Sequence, residues 1–269
     1  MVRMAFLEFQ GVRVTFGPYV ALEGVNLRVA EGEFVSLVGP TGCGKSTLLN
    51  LAAGLLHPTS GTVLLQGKPL TGLNPLAGYL FQQDAILPWR TARDNVALPL
   101  VFRGRSWKEA REEAQLWLEK VGLGRFGHLF PYQLSGGMRK RVGLAQVLIA
   151  RPRLLLMDEP FSALDVQTRQ LMENELLRLW EEGLQGGEED RKTVLFVTHD
   201  LTEAIALSDR VVVMAAGPRS RPIGEFRIPL PRPRDVAEVR LTPEFLRLER
   251  EIWGLLREEV MRAHAGTQA

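Results

Sequence analysis

Two glycine-rich stretches with phosphate-binding character lie far apart in this sequence. The first consists of Gly39, Pro40, Thr41, Gly42, Cys43, Gly44, Lys45, Ser46 and Thr47, which fits the P-loop pattern G-x-x-x-x-G-K-[ST]. Gly42 and Gly44 permit backbone angles that let successive amides converge on an anion. Lys45 supplies a point charge for the β- and γ-phosphates of a nucleoside triphosphate, and Ser46 supplies a hydroxyl for Mg²⁺. The stretch predicts a nucleoside triphosphate site, and the alternative is a glycine-rich turn that binds nothing.

A pair of acidic residues follows a short apolar run. The run covers residues 154–157 and is bounded by prolines on both sides, which is typical of a central parallel strand. Asp158 and Glu159 follow this run, at the carboxyl end of the predicted strand, where open α/β sheets bind their ligands. We expect Asp158 to hold Mg²⁺, directly or through water, and Glu159 to polarise the attacking water. Two solvated acids after a strand would have the same pattern, but the P-loop favours the catalytic interpretation.

The second glycine-rich stretch is Leu134-Ser135-Gly136-Gly137-Met138. Residues 138–149 are mostly helix-forming, and Ser135 is a good N-cap residue. The pattern therefore predicts a helix start with exposed amides, which is a second candidate anion site. From these five residues alone, an ordinary capped helix is the favoured interpretation.

Hydrophobic patterning predicts the elements that must position these groups. Residues 34–38 form a buried strand before the P-loop, and a helix follows over 46–53. The apolar run 192–197 delivers His199 to the sheet edge that carries Glu159, although a lone histidine after a strand is more often structural. Strands, glycine turns and helices alternate as in an α/β core.

Two other regions have a helical character. Residues 92–149 lack strand patterns, and Ser106 with Glu109 fits a capping box for a helix to about Val121. Residues 235–269 form an amphipathic tail that is expected to pack on its own domain. The longer connection at 183–190 is expected to be a surface loop.

Composition narrows the class of protein. The chain has 269 residues, of which 45 % are hydrophobic and 24 % charged, and its formal net charge is +2. This charge gives no signal of nucleic-acid binding. No apolar run reaches the roughly 18 residues needed to span a bilayer, and the N-terminus is too short in its apolar part for a signal peptide. The single cysteine excludes an intrachain disulfide and suits a reducing compartment, so a cytoplasmic protein is expected.

Several motifs together resemble the nucleotide-binding subunit of an ATP-binding cassette (ABC) transporter. In chain order they are the P-loop, Gln82 in Leu80-Phe81-Gln82-Gln83-Asp84, Leu134 to Met138 as the signature, Asp158-Glu159 as Walker B with the catalytic glutamate, Ser162-Ala163-Leu164-Asp165 as the D-loop, and His199 as the switch histidine. The resemblance implies an α/β fold of the P-loop NTPase type. It implies an ABC ATPase domain over 1–234 with an N-terminal antiparallel β region, an inserted helical subdomain at about 92–149, and a separate tail over 235–269.

The resemblance also implies roles for individual residues. Lys45, Glu159 and His199 would be catalytic, with His199 hydrogen-bonded to the γ-phosphate, and ATP and Mg²⁺ would be bound. Gln82 would join Ser46 and Asp158 at the metal and sense the γ-phosphate. Ser135, Gly136 and Gly137 would serve ATP held by a second copy of the chain, in a head-to-tail dimer. Phe16 matches the aromatic that stacks on adenine; Tyr19 is the alternative stacker, and a core role for Phe16 remains open.

Details beyond the motifs indicate a branch of the family. Met138 in place of the usual glutamine, the segment 83–96 and the segment 231–260 resemble importers of nitrate, aliphatic sulfonates and taurine. This implies transmembrane permease subunits as partners, a solute-binding protein as an indirect partner, and a peripheral position at the cytoplasmic face of the inner membrane. The alternative is a soluble ABC-type ATPase that remodels a protein or nucleic-acid complex. Cys43 inside the P-loop is expected to favour a thiolate, against the alternative of an unreactive thiol in the core.

Overall fold

The computed structural model of this chain describes residues 5–83, 85–162, 164–185 and 192–266. In these ranges the strands are β1 (Ala5–Phe16), β2 (Tyr19–Ala30), β3 (Phe34–Val38), β4 (Ser60–Leu65), β5 (Lys68–Pro69), β6 (Ala77–Leu80), β7 (Leu154–Asp158), β8 (Thr193–Val197), β9 (Arg210–Met214) and β10 (Pro222–Arg227). The α-helices are α1 (Lys45–Ala53), α2 (Ala92–Phe102), α3 (Trp107–Lys120), α4 (Gly136–Leu148), α5 (Val166–Gln185), α6 (Leu201–Leu207), α7 (Val236–Val239) and α8 (Pro243–Gly266).

The larger sheet has the strand order β10-β9-β3-β8-β7-β6. Its strands run parallel except for β10, which pairs antiparallel with β9 at one edge. Every residue of β3 and β8 is buried, as expected for central parallel strands covered on both faces. The predictions of strands at 34–38, 154–157 and 192–197 are confirmed to within one residue.

Successive residues of the central strands enter two different hydrophobic cores. On β3, Phe34 packs in the core formed with α2 to α8, and Val35 packs in the core formed with α1 and the smaller sheet. On β8, Phe196 packs in the first of these cores and Leu195 in the second. This alternation follows from the two-residue period of a strand, and it holds the sheet between two apolar layers.

The smaller sheet has the order β2-β1-β4-β5, and all of its pairs are antiparallel. It is the antiparallel β region that the family resemblance implies. Residues 92–148 contain α2, α3 and α4 with two short 3₁₀ turns and no strand. At the start of α3, the Ser106 hydroxyl accepts from the backbone N–H of Glu109, and the Glu109 carboxylate accepts from the backbone N–H of Ser106. The predicted capping box is therefore confirmed.

The C-terminal segment packs against the main body. Val236 of α7 and Phe245, Leu248 and Ile252 of α8 are buried in the same core as α5 and α6. The predicted loop at 183–190 is wrong in its first part, because α5 continues to Gln185; residues 186–190 lie outside the described ranges. None of the helices in the described ranges is long and apolar enough to cross a membrane.

Candidate active site

Four neighbouring strands bring the candidate catalytic groups to one edge of the larger sheet. The P-loop follows β3, His199 follows β8, Glu159 follows β7 and Gln82 follows β6. These strands are consecutive in the sheet and parallel, so their carboxyl ends meet at the same edge. Residues that are distant in sequence therefore lie side by side, at the place where open α/β sheets bind ligands.

The P-loop ends in a helix N-terminus without a side-chain cap. Gly44 is the N-cap of α1 with φ of 91°, and Gly42 has φ of 79°, both in the left-handed region that favours glycine. No side chain accepts from the first turn of α1. By contrast, side-chain oxygens cap the helices at Thr91, Ser106, Ser135, Asp200 and Asp235. The first amides of α1 are therefore left for an anion, which fits a phosphate group.

Lys45 lies at the base of this loop and is only 5 % exposed. Its Nζ donates to the carbonyl oxygens of Gly39 at 2.8 Å and Pro40 at 3.0 Å. The loop thus holds a desolvated cation beside its own uncapped amides. A phosphate oxygen is a stronger acceptor for this ammonium than a neutral carbonyl, because the hydrogen bond joins two charges.

A hydroxyl and a carboxylate meet next to the P-loop. The Ser46 hydroxyl donates to Asp158 Oδ1 at 3.1 Å. Burial raises the pKa of the Asp158 carboxyl, and the hydrogen bond from Ser46 and the charge of Lys45 oppose this rise. Mg²⁺ is bound in nucleotide sites through one or two protein oxygens, with water and phosphate completing its shell. Ser46 and Asp158 are oxygen donors of this kind, so the residues present fit Mg²⁺.

Glu159 is held between Gln82 and His199. Its Oε2 accepts from Gln82 Nε2 at 3.3 Å and lies 3.1 Å from His199 Nδ1. Glu159 has φ of 43°, which is uncommon for a residue with a side chain and is a form of backbone strain found at functional sites. Its N–H donates to the carbonyl of Val197 at 2.9 Å, which fixes the turn after β7 to β8. The structure therefore brings together three of the residues that the sequence singled out.

An open cleft of about 510 Å³ connects the P-loop to this group. Its lining includes the P-loop residues from Thr41 to Thr47 other than Cys43, together with Phe16, Tyr19, Ala21, Gln82, Glu159 and His199. Phe16 is 51 % exposed and Tyr19 is 46 % exposed. A core role for Phe16 is therefore excluded. Both aromatic rings are available to a base in the cleft, so the choice between them stays open.

The second glycine-rich stretch lies outside the lining of this cleft. The Ser135 hydroxyl caps α4 by accepting from Met138 N at 3.2 Å, as predicted. A Cβ at Gly137 would lie 2.5 Å from Cγ2 of Thr168, so a side chain here would require Thr168 of α5 to move. A Cβ at Gly136 would meet nothing closer than 3.9 Å. Gly136 is exposed, and no close neighbour covers this position at the start of α4.

Comparison with known proteins decides the family. The model of the ABC transporter family matches residues 22–162, which is more than half of the chain and includes the P-loop, Gln82 and Glu159. This chain belongs to the ABC transporter family. It is an ATP-binding ATPase subunit whose hydrolysis of ATP is coupled to transport.

Relatives of this ABC ATPase align over most of its length. The nitrate import ATP-binding protein NrtD of Synechococcus elongatus is 46 % identical over 257 residues, which cover 93 % of this chain and 91 % of the relative. The bicarbonate transport ATP-binding protein CmpC of the same organism is 42 % identical over 90 % of this chain and 36 % of the relative. A solved dimeric ATP-binding cassette in a post-hydrolysis state, with ADP and Pi bound, has a TM-score of 0.70 and 34 % identity, and the match covers 82 % of this chain and 98 % of that one.

Two residues that the sequence analysis missed support the site of this ABC ATPase. The Tyr79 hydroxyl donates to Asn50 Oδ1 at 3.2 Å, and burial together with the nearby Asp158 carboxylate raises the pKa of Tyr79. Lys140 of α4 is 6 % exposed, and its Nζ donates to the carbonyl of Gln82 at 2.6 Å. The signature helix is thereby joined to the residue that contacts Glu159. The sequence signals that could have identified these two residues were their positions, with Tyr79 shortly before Gln82 and Lys140 shortly after the signature.

The expected thiolate at Cys43 is contradicted by the structure. Cys43 is 1 % exposed, and its side chain packs in the core beneath the P-loop. Burial raises the pKa of this thiol, and the neighbouring Lys45 only opposes the rise. The pattern of the loop could not show this, because it does not reveal which way a side chain faces.

We therefore expect Cys43 in the folded chain to react with an alkylating reagent at least about tenfold more slowly than in the denatured chain, because the thiol is buried and protonated. Mass spectrometry follows the reaction at this single cysteine without ambiguity. Mg-ATP should not change the slow rate, and Cys43→Ala is the control for ATPase activity. A fast native reaction that Mg-ATP blocks would contradict the buried placement.

Proposed function

We propose that this ABC ATPase is the motor subunit of an importer for a small anionic solute, such as nitrate, a sulfonate or taurine. The observation that carries the proposal is the convergence of Lys45, Glu159 and His199 on one cleft of a chain related to NrtD and CmpC. Those relatives are named for nitrate import and bicarbonate transport, and both solutes are small inorganic anions. The same relationship weighs against a soluble ATPase that remodels other complexes.

The proposed chemistry follows from the geometry of the cleft. Lys45 and the first amides of α1 bind the phosphates and neutralise charge that develops on them. Glu159 accepts the hydrogen bond of the attacking water and orients it, while Gln82 and His199 hold the Glu159 carboxylate. Mg²⁺, held by Ser46 and Asp158 with Gln82 nearby, would supply further positive charge at the β- and γ-phosphates. Phe16 or Tyr19 stacks on the adenine ring.

A second copy of the chain completes each site in this proposal. Ser135, Gly136 and Gly137 lie outside the cleft of their own chain, and Gly136 is exposed at the start of α4. The related cassette with ADP and Pi is a dimer. In a head-to-tail dimer, the start of α4 from one copy reaches the γ-phosphate held by the other. The dimer works with transmembrane permease subunits and indirectly with a solute-binding protein, as a peripheral assembly at the cytoplasmic face of the inner membrane.

The proposal is tested on the assembled transporter. The chain is co-purified with its permease, reconstituted in lipid vesicles with the solute-binding protein, and assayed for ATPase activity with nitrate, bicarbonate, taurine and an alkanesulfonate. One of these anions should stimulate hydrolysis and accumulate inside or outside the vesicle in an ATP-dependent way. Failure of the chain to bind any permease, with full ATPase activity alone, would favour the soluble alternative.

Trp89 is presented at the surface by a fixed loop. Its side chain is 69 % exposed. Beneath the loop, fully buried Asn95 accepts from Leu87 N at 2.6 Å and donates to the carbonyls of Leu87, Arg90 and Thr91. Trp89 is therefore not a core residue. An exposed tryptophan on a rigid loop is a suitable anchor for a partner, and we propose that it contacts the permease.

Trp89→Ala is expected to reduce solute-stimulated ATPase activity and uptake of the assembled transporter by at least about fivefold, because an aromatic anchor is lost from the interface. The ATPase activity and melting temperature of the isolated chain should stay close to those of the wild type, since Trp89 does not line the cleft. Trp253→Ala is the matched control, because Trp253 is also exposed but lies on α8. A Trp89 variant that assembles and transports normally would remove this residue from the coupling surface.

A further inference from the structure

A partly buried ionic cluster lies next to the His199 loop, and none of its residues lines the cleft. It consists of Arg169 and Glu173 of α5, Asp200 and Glu203 at the start of α6, and Arg240 at the end of α7. Glu173 is 0 % exposed and Glu203 is 3 % exposed. Carboxylates removed from water require charged or hydrogen-bonding partners, so the geometry of this cluster is strongly constrained.

Arg169 joins two separate loops through one guanidinium group. Its Nη1 donates to Asp200 Oδ2 at 3.3 Å, and its Nη2 donates to the carbonyl of Leu164 at 3.2 Å. Its Nε lies 3.7 Å from Glu203 Oε1. Asp200 directly follows His199, and Leu164 lies in the turn before α5. The planar fork of an arginine can contact acceptors in both loops at once, which a lysine ammonium on a flexible stem does less well.

The backbone on both sides of His199 depends on this cluster. Before it, the Thr198 hydroxyl donates to Glu203 Oε2 at 2.6 Å. After it, Asp200 caps α6 by accepting from the N–H groups of Thr202 at 2.8 Å and Glu203 at 3.2 Å. The His199 side chain itself is 58 % exposed, and its contact is with Glu159. The position of the imidazole is therefore set by its neighbours in the chain, and those neighbours are held by Glu203 and Arg169.

The C-terminal segment contributes the second arginine of the cluster. Arg240 Nη2 donates to both carboxylate oxygens of Glu173, at 3.0 and 3.2 Å. Burial raises the pKa of Glu173 to about 7, and the charges of Arg240 and Arg169 oppose this rise. Arg240 and Arg169 both act on Glu173 as positive charges, so the two arginines share this carboxylate.

We propose that Arg169 is a positioning residue for ATP hydrolysis, which holds the loop 198–200 against Leu164, and that Arg240 supports it by neutralising Glu173. The inference rests on the proposed roles of His199 and Glu159. Arg169 does not line the cleft, so it acts through His199 and not on ATP. Through Arg240, the C-terminal segment takes part in aligning the active site.

Kinetics of the full-length chain test the inference. Arg169→Met should lower kcat by about 10- to 100-fold, the scale of a misplaced catalytic group, with KM for ATP within about twofold of the wild type. The kcat of Arg169→Lys should lie between those of the wild type and Arg169→Met. Arg178→Met is the matched control on the same helix, because Arg178 pairs with Glu175 and donates to the carbonyl of Lys120, and neither contact involves the loop 198–200; its kcat should be unchanged. Titration with a non-hydrolysable ATP analogue gives the folded, binding-competent fraction, by which each kcat is divided.

A double-mutant cycle separates positioning from loss of structure. In a His199→Ala background, Arg169→Met should cost less than about twofold in kcat, because the imidazole that it positions is absent. Arg240→Met should lower kcat in the wild-type chain and have no further effect in the Arg169→Met chain. Additive losses in these pairs, or a wild-type kcat for Arg169→Met, would overturn the inference. A wild-type kcat for His199→Ala would instead refute the proposed role of His199, on which the inference depends.

Discussion

The Glu159→Gln variant is expected to lose at least about 10²-fold in kcat, while it binds ATP like the wild type. The amide keeps the size of the side chain and can still contact Gln82, but it cannot accept a proton or hold water as a carboxylate does. The contacts proposed to bind nucleotide lie elsewhere in the cleft, at Lys45, Ser46 and the aromatic residues. The loss should therefore appear in kcat and not in the dissociation constant of ATP.

Two measurements check this expectation. Steady-state hydrolysis gives kcat, and equilibrium binding of a fluorescent ATP analogue gives affinity. Glu244→Gln makes the same chemical change in the exposed first turn of α8 and should leave both quantities unchanged. Hydrolysis near the wild-type rate in Glu159→Gln would refute the assignment. Loss of binding in step with hydrolysis would place Glu159 at the nucleotide and not at the water.

Activity should be restored when two inactive variants are mixed. Lys45→Ala removes the cation of the P-loop, and Ser135→Arg places bulk at the start of α4, so each homodimer should have two defective sites. In a heterodimer of the proposed head-to-tail kind, the P-loop of the Ser135→Arg chain faces the intact α4 of the Lys45→Ala chain. Random exchange of copies then predicts up to about a quarter of the wild-type activity, because half of the dimers contain one intact site of two.

The control for this mixture is a chain that carries both substitutions. Mixed with Lys45→Ala, it cannot form an intact site, so activity should stay at the background. Specific activity of the wild-type chain should also rise with protein concentration, because each site of the proposed dimer requires two copies. Activity that is independent of concentration, together with no restoration in the mixture, would indicate a self-sufficient monomer.

Local patterns were sufficient for the main elements of the fold. The apolar runs at 34–38 and 154–157 predict buried strands because every residue of a central parallel strand faces a core. The helix of residues 107–120 was predicted because the capping residues Ser106 and Glu109 are three positions apart and contact each other directly. The P-loop is likewise contiguous, since its glycines, lysine and serine are expected to serve the phosphates and Mg²⁺ of a single nucleotide. In each case the interacting residues are neighbours in the chain.

The arrangement of the catalytic groups was not contained in any such pattern. Glu159 lies 77 residues from Gln82 and 40 from His199, and the strand order β3-β8-β7-β6 decides that it contacts both. Before the structure, the family resemblance placed them in one site, but neither spacing nor propensity gave a distance between them.

Burial was decided only by the tertiary structure. Cys43 and Phe16 both adjoin the nucleotide cleft, yet the thiol is buried beneath the P-loop and the ring is half exposed. Arg169 and Arg240 had no distinguishing sequence pattern. Their proposed roles follow from the buried carboxylates of Glu173 on α5 and Glu203 on α6. The sequence by itself determined which residues could bind phosphate and polarise water, because those properties belong to the residue types and their local spacing. Which side chains face the cleft, the core or each other depended on the packing of helices and strands that are remote in the chain, and that packing is a property of the whole fold.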